Sequence, residues 1–159
     1  MLKQLLPRKM IAASIAACLF AIVFAFIEPD PFEAGIASFG DYLNHVWVVV
    51  PAYLLYALPI LFTYGIIASL LSQFIVRKFI QHLLTAEVQQ TAALLTLHLI
   101  FGAFLSFAGI LGALLFFIID FRLANKKISY TYRHSLKSLL WPLGLFIIFI
   151  LSYWVIDVI

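Results

Sequence analysis

The sequence predicts an all-α fold: a polytopic membrane protein built as a four-helix transmembrane bundle. Of its 159 residues, 65% are hydrophobic and only 11% are charged, whereas soluble domains contain roughly 45–50% apolar and about 25% charged residues. The apolar residues are concentrated in four long runs, and the charged residues lie in the short segments between them. A small soluble domain leaves a large part of its surface in water. A lipid bilayer is therefore the solvent that suits this composition.

The four runs comprise residues 10–27, 46–71, 92–119 and 139–156, and together they define a single transmembrane domain over residues 1–159. Each is long enough to span a bilayer, because a crossing helix needs about 20 apolar residues, with a range of roughly 17–25. The third run has 28 residues, or about 42 Å as one helix. One crossing needs only about 30 Å, so this helix must tilt, protrude or break.

Local signals refine the ends and the shape of these helices. Pro51 and Pro59 lie in the second run, where each lacks an N–H and clashes with the carbonyl four residues earlier. We therefore expect that helix to bend twice or to begin near Pro51. Thr85 is expected to cap the third helix at its N-terminus. Trp141, Tyr153 and Trp154 are expected to anchor the last helix at the membrane interfaces.

The first run raises the question of a cleaved leader. Basic residues precede it, as in a signal peptide, and residues 15–18 (IAAC) resemble a bacterial lipobox. The run is longer than a signal core, however, and apolar residues continue beyond Cys18 to Ile27. We therefore expect an uncleaved helix in which Cys18 is a small core residue.

Two topologies are compatible with these runs. If the third run crosses once, the ten Lys and Arg residues divide five and five between the two sides, and the positive-inside rule gives no orientation. If it breaks near Gly102 and returns, all ten lie on one side, opposite the acidic first loop. Two full crossings need about 40 residues, and a re-entrant turn must be buried in protein or water. We prefer four crossings of a plasma membrane, with both termini cytoplasmic, and keep the re-entrant topology as the alternative.

The candidate binding residues lie in the second and third runs. Tyr53, Tyr56, Thr63 and Tyr64 share one face of the second helix, about 100° wide, which should contact other helices or a wet cavity. His98 is the strongly titratable residue placed well inside an apolar run, which makes it a functional candidate. A proton-coupled role is one interpretation. A neutral histidine bonded to a tyrosine or threonine of the second helix is the other.

Small residues recur along the third run. Gly102, Ser106, Gly109 and Ala113 have spacings of four, three and four, so on one helix they share a face. Small side chains let another helix approach closely where lipid offers no hydrophobic driving force. This face is interpreted as a packing surface, either inside the bundle or between copies in a homo-oligomer.

Several functional classes are not supported by the sequence. The chain lacks the zinc-protease, nucleophile-elbow and phosphate-loop motifs, and the nearest approximation to a catalytic set is Asp120 with Arg122 and His134. We therefore predict that it is not an enzyme. His45 near acidic residues has no recognised metal-ligand spacing, so we predict no metal and no cofactor. The net charge of +3 is modest, and the basic residues flank the apolar runs, which argues against nucleic-acid binding.

The stretch from Leu58 to Ser72, LPILFTYGIIASLLS, resembles small uncharacterised multi-span membrane proteins of Gram-positive bacteria. The resemblance implies a bacterial plasma membrane and no particular activity. Our first hypothesis is a non-enzymatic accessory, regulatory or immunity-type membrane module in contact with lipid, with its own copies or with another membrane protein. The alternative is an oligomeric small-solute or proton-linked transporter that uses the second and third helices.

Overall fold

The computed structural model describes residues 2–80, 86–126 and 128–158, except for the side chains of residues 2–4, 80 and 154–158. Within these residues the protein is all-helical. Its α-helices are α1 (Leu2–Ile27), α2 (Phe39–Ile60), α3 (Ile66–Ile75), α4 (Glu87–Ala103), α5 (Phe107–Asn125), α6 (Tyr132–Ser138) and α7 (Leu140–Val158). Thr85 and the side chain of Trp154 lie outside the described residues, so the expectations for them are not addressed.

Four stretches are long and apolar enough to cross a membrane, which confirms the predicted fold class. They are Leu5–Ile27, Phe39–Phe79, Phe107–Asn125 and Tyr132–Tyr153. The second stretch combines α2, α3 and two π-helical segments, Leu61–Gly65 and Val76–Ile80. At 41 residues it is about 62 Å long, twice the hydrocarbon thickness of about 30 Å. It must therefore tilt strongly or extend beyond the membrane.

Helix α1 is the central helix of the bundle and contacts α2, α5, α6 and α7. One face of α1 is made of alanines with no exposed surface, namely Ala12, Ala13, Ala16, Ala17, Ala21 and Ala25. Such small side chains let neighbouring backbones approach closely. They explain how one helix can contact several others.

The second helix passes through both of its prolines instead of beginning at Pro51. Pro59 lacks an N–H to donate, and the π-helical segment begins two residues later, at Leu61. There, the Thr63 hydroxyl donates to the Pro59 carbonyl at 2.7 Å. A wider helical turn beside a proline is a usual way to absorb the missing backbone bond.

The third run, residues 92–119, breaks, which is one of the three outcomes expected for it, and it does not form the single helix of the preferred topology. Helix α4 ends at Ala103, and α5 begins at Phe107 after a short turn. In that turn Ser106 has a φ of 138°, which side-chain-bearing residues rarely adopt. Helix α5 folds back along α4, so that the rings of His98 and Phe117 lie 5.3 Å apart. The 17 residues of α4 rise about 25 Å, and this length is at the lower limit of the roughly 17–25 residues of a crossing helix.

The turn of this hairpin keeps its backbone bonded. The Tyr64 hydroxyl donates to the Phe101 carbonyl at 2.6 Å, in the last turn of α4, where carbonyls lack partners within the helix. The Leu105 N–H donates to Gly102 and the Ile110 N–H donates to Ser106. Unsatisfied backbone groups are costly in lipid. These bonds satisfy backbone groups at the turn, whose residues 103–107 are exposed at the bundle surface.

The bundle has two ends of opposite character, which we call the basic end and the acidic end. At the basic end, Arg8 of α1 lies against Asp120 of α5. At the acidic end, α1 leads into the loop of residues 28–38. Helix α7 runs between the two ends. Just before it begins, the hydroxyl oxygens of Ser138 and Ser14 lie 3.0 Å apart. Near its other end, the Ser152 hydroxyl accepts from the Trp47 indole N–H at 2.8 Å. The N-terminal end of α1 and the C-terminal end of α7 therefore lie at opposite ends, unlike in the preferred topology.

The loop at the acidic end is organised by Asp30. Its carboxylate accepts the backbone N–H groups of Ala34 at 2.9 Å and of Gly35 at 2.7 Å. These bonds, helped by His45 nearby, hold the pKa of Asp30 below its ordinary value. A lowered folded-state pKa means that the carboxylate stabilises the loop above its unfolded pKa and loses that effect as the pH falls through the lowered value. In the described part of the chain, no three His, Cys, Asp or Glu residues are grouped as metal ligands.

Candidate functional site

A cavity of about 330 Å³ lies between α1, the second long helix and the α4–α5 hairpin. Its size falls at the lower end of the range for small-molecule pockets, about 300–1,000 Å³. The wall is mostly aromatic and aliphatic. It is formed by Phe20, Phe24, Tyr53, Tyr56, Ala57, Ile60, Leu61, Tyr64, Gly65, Ala68, His98, Gly102, Leu105, Ser106, Ala108, Gly109, Ala113 and Phe116. The hairpin supplies nearly half of these residues.

His98 forms part of the inner wall of this cavity and is only 4% exposed. Its Nδ1 lies 2.8 Å from the carbonyl oxygen of Leu94, one turn earlier in α4. A carbonyl can only accept, so Nδ1 carries the hydrogen, and Nε2 of the neutral ring is an acceptor. Nε2 is buried and has no hydrogen-bond partner among the described residues. The expected bond to a tyrosine or threonine of the second helix is therefore not formed.

Of the four polar residues predicted to share a face of the second helix, three line the cavity. Tyr53, Tyr56 and Tyr64 are in its wall, whereas Thr63 is exposed elsewhere and bonds Pro59. Tyr53 donates to the Glu28 carbonyl at 2.7 Å, much as Tyr64 donates to the end of α4. These two phenols thus hold helix ends in place and have no hydrogen left to donate. Tyr56 is 70% exposed and lies at the rim.

The small residues predicted as a packing face lie on two helices that face each other. A Cβ on Gly102 would be 2.6 Å from the Gly109 carbonyl oxygen and 2.7 Å from Ala113 Cβ, and a Cβ on Gly109 would overlap the Gly102 carbonyl oxygen. Only glycine fits at such distances. Ser106 lies in the turn between the two helices. This set therefore closes the hairpin within one chain.

A buried ionic cluster adjoins the cavity on its basic-end side. The Asp120 carboxylate accepts from Arg8 Nε at 2.8 Å and from Lys9 Nζ at 2.8 Å, and Lys9 also donates to Ser69. Lys9 is fully buried and Asp120 is 6% exposed. The Lys9 ammonium lies 6.0 Å from the centre of the Phe116 ring, which is part of the cavity wall. A single aromatic ring thus separates the cluster from the cavity.

This cluster is not predicted by the sequence analysis. The signal available was positional: Lys9 immediately precedes the first apolar run and Asp120 immediately follows the third. Asp120 is also not assembled with the other members of the weak catalytic set. His134 instead lies 3.2 Å from the Thr131 hydroxyl, in a capping box that begins α6.

The fold and the cavity define a class of protein, a helical bundle with membrane-spanning helices and an internal apolar pocket. Comparison of the chain with protein-family models, with curated proteins and with solved structures finds no match. The function is therefore argued from geometry, and the resemblance of residues 58–72 stays a prediction.

Proposed function

We propose that this protein is a non-enzymatic accessory, regulatory or immunity-type module of a plasma membrane, and that it works by binding a small, mostly apolar molecule in its cavity. The cavity is the observation that carries the proposal. It exists because the hairpin packs tightly on itself at Gly102 and Gly109 and leaves space toward α1 and α2. Apolar walls with a few placed polar groups are typical of ligand sites.

Charge distribution supports an orientation for this module. With the hairpin returning to the side from which it came, the Lys and Arg residues in the described part of the chain belong to segments at the basic end. The four acids from Glu28 to Asp41 belong to the acidic end. The positive-inside rule then places the basic end and the N-terminus in the cytoplasm. The exposed apolar faces of α7 are left to contact lipid, another copy or another membrane protein.

A proton-linked or small-solute transporter is the second candidate, and one row of residues favours it. His98, Phe116 and Lys9 follow one another from the cavity toward the basic end, with His98 6.4 Å and Lys9 6.0 Å from the Phe116 ring. Ionisable groups in such a row are typical of transport pathways. Flux into proteoliposomes that is lost in His98→Leu would favour this candidate over the binding module. Unchanged flux would remove its main support.

The binding proposal predicts that a membrane-soluble photoreactive fatty probe labels the cavity wall. Ala108 is half-buried in the wall, and Ala108→Phe is expected to reduce labelling of residues 101–113 by about tenfold, the equivalent of about 1.4 kcal/mol of binding free energy. Ala124→Phe is the matched control, because Ala124 is exposed on the same helix and outside the wall. The measurement is mass spectrometry of the labelled peptides from protein in lipid vesicles.

Labelling confined to the exposed surface of α7, and unchanged by Ala108→Phe, would contradict the proposal. The same would follow if Ala124→Phe lowered labelling as much as Ala108→Phe does. Both variants are compared at equal amounts of folded protein, judged by size-exclusion chromatography in detergent.

A further inference from the structure

We propose that the molecule bound in this cavity is a neutral lipid with a free hydroxyl group, such as a long-chain alcohol or a diacylglycerol, whose hydroxyl donates to Nε2 of His98. This inference rests on the proposed function, and it names the chemical class of the ligand. It is carried by His98 in the nearly apolar wall, whose buried Nε2 has no hydrogen-bond partner among the residues that the structure describes.

The bond to Leu94 determines which chemistry His98 can recognise. Because Nδ1 is fixed as the donor to the Leu94 carbonyl, Nε2 offers a lone pair and needs a donor. Esters, ketones and ethers only accept, so they cannot form this bond. A charged ammonium or carboxylate would lose its hydration in an apolar wall without compensation. A neutral O–H or N–H group is what remains.

The tyrosines of the wall favour a hydroxyl over an amide as the ligand group that donates to His98. An amide would bring a carbonyl that needs its own donor. The hydroxyl hydrogens of Tyr53 and Tyr64 are already given to the Glu28 and Phe101 carbonyls, so neither phenol can supply that donor. A hydroxyl group needs no second donor when it gives its hydrogen to His98. The other hydroxyl-bearing residues of the wall, Tyr56 and Ser106, are exposed at the rim, so at the buried inner wall an alcohol is the better match.

A lone water is a poorer partner for Nε2 than a lipid alcohol. A buried water usually makes about three hydrogen bonds, with a range of 2–4. The described aromatic neighbours of the His98 ring are the phenyl groups of Phe116 and Phe117, which offer a water no conventional acceptor or donor. An alcohol satisfies Nε2 and fills the apolar space with its chain.

The rim of the cavity gives such a chain a route from the membrane. Tyr56, Ile60 and Leu105 are wall residues that are also exposed at the bundle surface. They belong to α2 and to the hairpin turn, so the cavity opens between these two elements. A lipid can keep part of its chain among other lipids while its hydroxyl reaches the inner wall.

The experiment compares two photoreactive probes on the unchanged protein in phosphatidylglycerol and phosphatidylethanolamine vesicles: a long-chain alcohol with a diazirine and its methyl ether. The ether keeps the oxygen and loses the donor. The alcohol is expected to label residues 101–113 about tenfold more than the ether. This comparison needs no variant, so it does not depend on whether a substitution at His98 folds.

Variants then assign the effect to Nε2. His98→Leu is expected to lower alcohol labelling to the level of the ether, whereas His98→Gln, which keeps an acceptor, retains most of it. Thr63→Ala is the matched control on the second helix, since Thr63 lies outside the wall, and it is expected to change nothing.

Each remaining outcome overturns the inference in a recognisable way. Equal labelling of the cavity by alcohol and ether refutes the hydroxyl and leaves the proposed function standing. Absence of cavity labelling by either probe, together with failure of the fatty probe, refutes both. Crosslinking of the wall in native membranes only to another protein would also overturn it.

Discussion

Replacing Asp120 with asparagine is expected to destabilise the protein by about 3–5 kcal/mol, the usual cost of removing one partner from a buried ion pair. The carboxylate contacts Arg8 and the fully buried Lys9 ammonium, each at 2.8 Å. Asparagine is nearly the same size but neutral, so it leaves Lys9 buried without a counter-charge. The measurement is the free energy of unfolding in mixed detergent micelles, followed by circular dichroism during titration with sodium dodecyl sulfate.

The matched control is Arg122→Gln, which removes the charge that the sequence placed nearest to Asp120. Arg122 is exposed, so its loss is expected to change stability by less than about 0.5 kcal/mol. The double variant Lys9→Met with Asp120→Leu is expected to be more stable than Asp120→Leu alone, because an apolar pair can replace a buried ionic pair. Effects of Lys9→Met and Asp120→Leu that simply add would show that the two residues are not coupled.

Placing a side chain at Gly109 is the second change with a large expected effect. A Cβ there would overlap the Gly102 carbonyl oxygen, and a backbone atom cannot move aside as a flexible side chain can. Gly109→Ala is therefore expected to cost at least the upper part of the about 1–3 kcal/mol typical of overpacking. Because the hairpin forms one wall of the cavity, the same change is expected to abolish labelling of residues 101–113. The measurement is again detergent unfolding, with photolabelling alongside.

Gly112→Ala and Gly144→Ala are the controls for this prediction. A Cβ at Gly112 would meet Phe20 and Leu61 at an ordinary 3.7 Å, and one at Gly144 would meet nothing within 4 Å. Both changes also raise helix propensity, so stability is expected to stay the same or to rise. A loss at Gly112 as large as the loss at Gly109 would indicate that helix packing in general, and not closure of the hairpin, is the sensitive property.

The all-helical fold and the approximate spans could be predicted because hydropathy reports directly on the solvent that surrounds each helix. Residues 92–119 alone leave open whether the run breaks near Gly102, because it contains no proline and no charge. The break depends on tertiary contacts, namely the approach of Gly102 to Gly109 and the phenol of Tyr64 on the Phe101 carbonyl. The signal for this break is the charge distribution, because a single crossing divides the Lys and Arg residues evenly between the two sides of the membrane. The run is too short for two crossings only if both helices of the hairpin must span the whole bilayer.

The candidate site could also be predicted in part from the sequence. Helical periodicity put Tyr53, Tyr56 and Tyr64 on one face, and the structure places them with His98 around one cavity. Periodicity describes one helix at a time, however, so it could not find the pairing of Lys9 with Asp120, which are 111 positions apart. Nor could it show that the His98 ring bonds its own helix through Nδ1 and that Nε2 has no partner within the described part of the chain.

The return of α5 to the basic end is tested most directly by the sidedness of two exposed positions, Ala37 in the acidic loop and Ser129 between α5 and α6. Each is changed to cysteine in a Cys18→Ser background, and intact cells are treated with a membrane-impermeant maleimide before and after lysis. The hairpin predicts opposite behaviour: Ala37→Cys is labelled in intact cells, and Ser129→Cys is labelled only after lysis. Labelling of both positions in intact cells would put them on the same side of the membrane and would contradict the hairpin.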